Sequence, residues 1–289
     1  MTKFAQRAPL APPSPSRTRV YPSSTTDEWP KSDISDLGAG EGWGGSRTAS
    51  RSDLPRKGGG GTEYAARFAI TIAGISLHAD PMGALYWPEH GLLAVADLHL
   101  EKGSSFASRG LLLPPYDTAT TLARLARLIA HYAPRAVLAL GDSFHDRGGP
   151  ARLSRDDRDN LHALQCGRDW IWLTGNHDPE PAANIGGVFQ PTLRLGALTF
   201  RHEPAGAVGE IAGHLHPVAR IAHRGRAVSR RCFAADQTRM VMPAFGAFTG
   251  GLNIRDVAFA DLFGTLRFTA HMLGEDRLYA FTARRCLPD

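Results

Sequence analysis

Cysteine is scarce in this chain: Cys166, Cys232 and Cys286 are the only three among 289 residues, widely spaced and outside any CxxC pattern. Neither a disulfide framework nor a thiolate zinc site is therefore expected, and the three read as small core residues in a reducing compartment. Long apolar runs are also missing. No stretch reaches the ~18 to 20 consecutive apolar residues of a membrane helix, and the N-terminus has no apolar centre of the secretory kind, so the expectation is a cytoplasmic protein with no membrane partner. Acidic residues are absent from the first 26 positions, which are rich in Arg and Ser. That composition also fits a transit peptide, but with a proline every few residues it makes a poor amphipathic helix. Charge of one sign is lacking where a core would fold. The formal net charge is +5, yet residues 1–62 hold nine Lys/Arg against six Asp/Glu, leaving 24 basic and 22 acidic residues for the rest. Basic character concentrated in a tail is weak support for a nucleic-acid partner.

What is present divides the chain in two. Residues 1–62 are rich in Pro, Ser, Thr, Arg and Gly, end in the run Gly58 to Gly61, and carry few aliphatic residues to offset the entropy of ordering. A disordered tail is expected there, and one folded domain over 63–289. From Phe68 onward the texture changes to short β-rich runs, FAITI, ALYW and LLAVAD, interrupted by turn residues. Leu122, Leu125, Leu128, Ile129 and Tyr132 recur at helical spacing and predict an amphipathic helix over 117–132. A strand AVLAL follows at 136–140. A second helix is predicted over 154–165, with Ser154 as N-cap and Asp156 and Asp157 in its first turn, leading into the strand WIWL. Beyond Val188 helical signals stop and strand-like pieces take over: TLRL, LTFR, GEIAGH, AVSRRCF and RMVMP. A parallel half followed by an antiparallel half predicts an α/β fold of two packed β-sheets flanked by helices.

Four short segments carry the chemistry, and each lies where a predicted strand ends: Asp97-Leu98-His99, Gly141-Asp142-Ser143-Phe144-His145-Asp146, Gly175-Asn176-His177-Asp178 and Gly213-His214-Leu215-His216. His202, just after LTFR, is a fifth candidate. Strand ends in α/β sheets are where ligand sites form. One histidine after a strand is more often a packed or surface residue than a ligand. Six of the twelve histidines fall at these ends, however, and packing does not ask for that. Carboxylates, an amide oxygen and imidazoles without thiolate suit hydrolytic cations that keep positions open for water and substrate. The glycines before Asp142, Asn176 and His214 are expected to let the backbone turn tightly.

The series DxH, GDxxH, GNHD and GHxH, in this order, resembles the calcineurin-like metallophosphoesterase superfamily over about residues 64–285. ADLHLEKG, LPPYDT, GDSFHD, GNHD, GHLHP and MPAFGAFTGGLN together resemble, more narrowly, the bacterial ligase-associated DNA damage response endonucleases. The resemblance implies a four-layer metallophosphoesterase sandwich and a pair of divalent cations. One cation would be held by Asp97, His99, Asp142 and His216, the other by Asp142, Asn176, His202 and His214, with Asp142 shared. Mn2+ is the leading expectation, with Fe, Zn, Ni and Mg as alternatives. His177 resembles the histidine that donates a proton to, or stabilises, the leaving oxygen. The chain departs from the phosphatase-like GDxxDRG: His145 stands third after Asp142, and Asp146-Arg147-Gly148 follows one place later. This resembles the GDLFH pattern of double-strand-break-repair nucleases, where the second histidine partners the catalytic one, and it shifts weight toward phosphodiesters. The function implied is a DNA endonuclease or phosphodiesterase in the damage response, beside a DNA ligase and a helicase. Two alternatives stay open: a phosphodiesterase for cyclic nucleotides or other small molecules, and a metal-stabilised repair scaffold without turnover.

Outside the motifs the signals are weaker. Arg220, Arg224, Arg226, Arg230, Arg231 and Arg239 stand among predicted hairpins with Asp236 alone to offset them. They suit either a DNA backbone or a charged edge that resists aggregation, and Arg220, Arg224 and Arg226 are taken as substrate-binding candidates. Glu101 and Lys102 are expected at the surface, with support of the first motif as the alternative, and the run 245–251 is either the mouth of the site or simply a turn.

Overall fold

The computed structural model describes residues 68–289 except 115, 181–183 and 265, so the tail expected to be disordered, 1–62, lies outside the described residues. The chain enters through the antiparallel strands β1 (Ala69–Ile72), β2 (Ile75–Ala79), β3 (Leu85–Trp87) and β4 (Leu92–Val95). A short helix α1 (Lys102–Ala107) and a long one, α2 (Asp117–Tyr132), follow. Strand β5 (Ala136–Leu140), helices α3 (Gly149–Arg152) and α4 (Arg155–Gln165), and strands β6 (Asp169–Leu173) and β7 (Val188–Gln190) complete a sheet in sequential order β1 to β7. From β4 to β7 every pairing is parallel, with crossovers through α2 between β4 and β5 and through α4 between β5 and β6.

Strands β4 and β5 are buried at every position, which is what a parallel sheet covered on both faces demands. Their alternate residues serve two cores. Leu93, Val95, Val137 and Ala139 meet Leu122, Leu125, Leu128 and Ile129 of α2 and Leu161 of α4, so the predicted stripe points inward. Leu92, Ala94, Leu138 and Leu140 face the other way, against Leu198, Phe200, Ile211, Phe233 and Met240 of the second sheet. Helix α4 begins as expected, with the Ser154 hydroxyl accepting the Asp157 N–H at 3.0 Å.

The second sheet contains β8 (Thr192–Leu195), β9 (Leu198–Arg201), β10 (Glu210–Ala212), β11 (Pro217–His223), β12 (Arg226–Ala235), β13 (Arg239–Val241) and β14 (Leu252–Asn253), ordered β14-β11-β12-β13-β10-β9-β8. After it come α5 (Val257–Phe263), β15 (Thr269–Leu273) and β16 (Leu278–Thr282), with β15 pairing to β12. Phe259 of α5 packs with Ala219, Cys232, Ala234 and Phe268 on the outer face of this sheet. The layers run helix, sheet, sheet, helix.

Three expectations need correction. Helices do not stop at Val188, because Asp256 caps α5 by accepting the Ala258 N–H at 2.9 Å. The second sheet is mixed rather than antiparallel, since β10 pairs in parallel with both β9 and β13. Cys166 is exposed at the end of α4, while Cys232 and Cys286 are buried as expected. Among the described residues no helix is long and apolar enough to cross a membrane.

Candidate metal centre

The four motif segments and His202 converge. Asp97 and His99 follow β4, Asp142 follows β5, Asn176 and His177 follow β6, His202 follows β9, and His214 and His216 stand between β10 and β11. The backbone records a cost. Asp97, His99, Asp142, His214 and His216 all take positive φ, between 43° and 68°, where side chains other than glycine are strained. Such strain, on the order of 1 kcal/mol or more per residue, persists where the surroundings over-determine it, and it concentrates at functional sites. Between Asp97 and His99, Leu98 is buried in the core against α2, so the polar pair turns to the opposite side.

The glycines act differently from what the sequence suggests. Gly141 does take a positive φ of 74°. Gly175 and Gly213 do not, and their role is close approach: a Cβ on Gly175 would lie 2.2 Å from Asp142 N, and one on Gly213 2.7 Å from Asp97 Oδ2.

Asp97 is fully buried and Asp142 is 2% exposed, and neither has a Lys or Arg partner among the described ion pairs. Imidazoles surround them instead. His216 Nε2 lies 3.3 Å from Asp97 Oδ1 and 3.2 Å from His99 Nε2. His202 Nε2 lies 3.3 Å from Asp142 Oδ1, 2.8 Å from Asn176 Oδ1 and 3.2 Å from His214 Nδ1, which is itself 2.9 Å from Asn176 Oδ1. The Asp142 carboxylate faces both groups: Oδ1 toward His202 and Oδ2 toward His99 at 3.9 Å. One ligand atom from each of Asp97, His99 and His216 falls within 4.8 Å of the others, and the same holds for Asp142, His202 and His214.

This arrangement asks for positive charge. His202 Nδ1 faces the Leu140 carbonyl oxygen at 2.9 Å and must donate to it, so in the neutral ring the Nε2 lone pair points at the oxygens of Asp142 and Asn176. Burial pulls His202 down, but Asp142 and Asp97 outweigh it and hold the imidazole up to about 9. Burial works to raise Asp142, and the His202 hydrogen bond and charge outweigh it, holding the carboxyl down to about 2. His99 is pushed down to about 3 by burial and by His216. Converging lone pairs of carboxylate, amide oxygen and imidazole without thiolate are the donor set of a borderline or hard divalent cation, so the residues present fit the metals that the sequence implies. A cavity of about 240 Å³, lined by Asn176, Arg201, His202 and Glu203 among others, opens beside the second group.

His177 and His145 lie at the edge of this cage. The His177 backbone N–H donates to Asp142 Oδ1 at 2.9 Å, and its ring Nδ1 faces the His145 carbonyl oxygen at 2.8 Å. Nδ1 therefore carries the hydrogen and Nε2 turns inward, 3.8 Å from Asp142 Oδ2. The His145 ring stacks on His177, with centroids 5.5 Å apart and planes 25° from parallel.

The hairpin candidates lie elsewhere. Arg224 and Arg226 are exposed at the tip of the β11–β12 hairpin, and Arg220 donates to the Pro288 carbonyl at 3.3 Å. At ~3.3 Å per strand residue, the tip is roughly 20 Å or more along the chain from His216. Arg231 donates to the Ala244, Ala247 and Thr249 carbonyls, and Arg239 to Leu262 and Gly206. Both thus brace loops. Burial and the nearby Arg124 lower Arg231 to about 10.

Two groups support the site in ways the sequence left without a role or placed at the surface. Asp178, the last residue of GNHD, is buried and accepts the N–H groups of Ser143 at 2.7 Å, Phe144 at 3.2 Å and Gly175 at 3.1 Å, fastening the β5 and β6 loops together. Burial raises its carboxyl to about 6. Asp178→Ala would orphan three buried donors. It is expected to cost about 2 to 3 kcal/mol and lower the melting temperature by roughly 5 to 10 °C. A thermal melt checks this, and an unchanged midpoint would remove Asp178 from the scaffold of the site. Glu101, expected at the surface, is buried too, because the Thr118 and Ser104 hydroxyls satisfy its carboxylate.

Comparison with known proteins gives two matches of interest. The family model described as calcineurin-like phosphoesterase matches residues 91–228. The crystal structure of the Pseudomonas putida nuclease MPE aligns with a TM-score of 0.57 at 31% identity, covering 73% of this chain and 98% of that one. No curated protein matches.

Proposed function

The chain belongs to the calcineurin-like phosphoesterase family and is a metal-dependent hydrolase, and from that premise we propose that it cleaves phosphodiester bonds of DNA with two divalent cations. The observation that carries the two-metal reading is Asp142, whose oxygens face two separate donor groups. Asp97, His99, Asp142 and His216 would hold one cation, and Asp142, Asn176, His202 and His214 the other. Mn2+ is the proposed metal because the donors mix oxygen and imidazole without thiolate. When bound, the pair supplies Lewis-acid chemistry, acidifying water and neutralising phosphoryl oxygens.

The chain's own residues do the rest. His177 turns Nε2 toward the cage and delivers a proton to the leaving oxygen. His145 stacks behind His177 and fixes the plane of its ring. Asp178 fixes the two loops on which Asp142 and Asn176 stand.

DNA as substrate is supported by the likeness to a Pseudomonas putida nuclease and by the exposed Arg224 and Arg226, joined by Arg220, which offer phosphate contacts away from the cage. The narrower resemblance of the motif strings supports a place in the DNA damage response, in the cytoplasm beside a DNA ligase and a helicase. The catalytic domain is proposed to span 63–289, with 1–62 a tail.

The test is a substrate profile: purified protein with Mn2+ on bis-p-nitrophenyl phosphate, single-stranded DNA, duplex DNA and 2′,3′-cyclic nucleotides. Cleavage of DNA is the expected result. Turnover of small diesters alone would replace this reading by a small-molecule phosphodiesterase, and no turnover with any divalent metal would leave a scaffold.

A further inference from the structure

Asp146, Ser104 and Glu101 take no part in the cage, yet one chain of hydrogen bonds joins them. Both Asp146 oxygens accept Arg152 Nη2 at 2.9 Å. Arg152 Nε donates to Ser104 Oγ at 3.0 Å, and Ser104 Oγ donates to Glu101 Oε2 at 2.6 Å. Thr118 Oγ1 donates to Glu101 Oε1 and accepts the Glu101 N–H, both at 2.9 Å. Each hydroxyl accepts once and has one proton to give, Ser104 having the Glu101 carboxylate at 2.6 Å and the Glu101 carbonyl oxygen at 3.0 Å as acceptors, so the directions along the chain are consistent. The path runs from the loop behind His145, through α3 and α1, to the first turn of α2.

Helix α1 needs such support. It has six residues, starts after Glu101 at a positive φ of 63°, and has no side-chain cap. A helix this short does not hold itself in water. One of its side chains matters to the cage: the Phe106 ring lies 5.5 Å from the His145 ring, on which His177 stacks in turn.

We propose that Arg152 is a positioning residue for the reaction, tying α1 to the Asp146 loop so that Phe106 backs His145 and, through it, His177. This rests on the roles of His177 and His145 proposed above. The arginine fork is what the position requires, since it reaches a carboxylate and a hydroxyl on different elements at once.

The test is a double-mutant cycle between Arg152→Ala and His145→Ala, read as kcat, KM and metal bound per chain. Arg152→Ala is expected to lower kcat about tenfold, as a small misplacement of a catalytic group does, with KM within about twofold and metal content unchanged. Arg152→Lys, which keeps the ion pair with Asp146, should recover part of the loss. In the His145→Ala background, removing Arg152 should cost less than about twofold. Losses that multiply would overturn the proposal, because Arg152 would then act independently of His145. Should Arg152→Ala fail to fold, Ser104→Ala breaks the same path and enters the same cycle. If the wild-type protein turns over no substrate, the reading of its function falls, and the proposal is decided by the His145 ring-proton NMR line. That line must move in Arg152→Ala, and a line that stays in place would overturn it.

Discussion

Replacing Asp142 by alanine is expected to lower DNA cleavage by about four orders of magnitude, or about 5.5 kcal/mol of transition-state stabilisation. The reason is geometric. Oδ1 of this carboxylate lies 3.3 Å from His202 and Oδ2 3.9 Å from His99, so it belongs to both donor groups and its loss damages both. Two cations held by these residues would repel each other, and the shared Asp142 carboxylate would offset that repulsion. Bound metal should therefore fall by at least one ion per chain in this variant. The variant should fold with lower stability, because the His177 N–H and the His202 imidazole lose their partner, and circular dichroism with a thermal melt would measure that loss. Asp142→Asn is the sharper comparison. It keeps an acceptor for the His177 N–H, now 2.9 Å from Oδ1, and removes only the charge. Near-normal activity in either variant would mean that Asp142 does not bridge.

Replacing His177 by alanine should have the second-largest effect, and one of a different kind. Its ring donates through Nδ1 to the His145 carbonyl and turns Nε2 toward the cage; it clusters with His99 and His145, and with neither of the groups that contain a carboxylate. Metal content should stay at the wild-type level while DNA cleavage falls by about 10² to 10⁴, the range of a lost general acid. The loss should depend on the leaving group. A DNA strand departs as a poorly stabilised alkoxide and needs the proton, whereas p-nitrophenolate leaves without one. The fall on bis-p-nitrophenyl phosphate should accordingly be at least tenfold smaller than on DNA. Equal losses on both substrates would remove the acid role, and loss of the metals would make His177 a ligand instead.

Much of this molecule is legible in its residues, and the parts that are not share a physical reason. Helix α2 was readable because Leu122, Leu125, Leu128 and Ile129 face one core at regular spacing, and α4 because Ser154 and two aspartates mark its start. Helix α5 was not, since VAFADLF is a seven-residue stretch, apolar but for Asp261, in which Phe259 alone is buried, and periodicity cannot separate that from a strand. The parallel pairing of β10 with β9 and β13 is set by long-range packing that no local string records. The motif strings lead to one cluster of side chains because each couples a strand end to a polar side chain. His202 lacked a distinctive string, and it is the Leu140 carbonyl, 62 residues away, that orients it. Glu101 defied the surface expectation because its satisfying hydroxyls include one 17 residues downstream, and burial of a charge follows its partners rather than its own chemistry.

The most direct test is anomalous diffraction from crystals of the protein equilibrated with Mn2+. Two peaks about 3.5 to 4 Å apart are expected, one among Asp97, His99 and His216, the other among Asn176, His202 and His214, with Asp142 between them. A single peak, or density away from these side chains, would contradict the paired-cation centre.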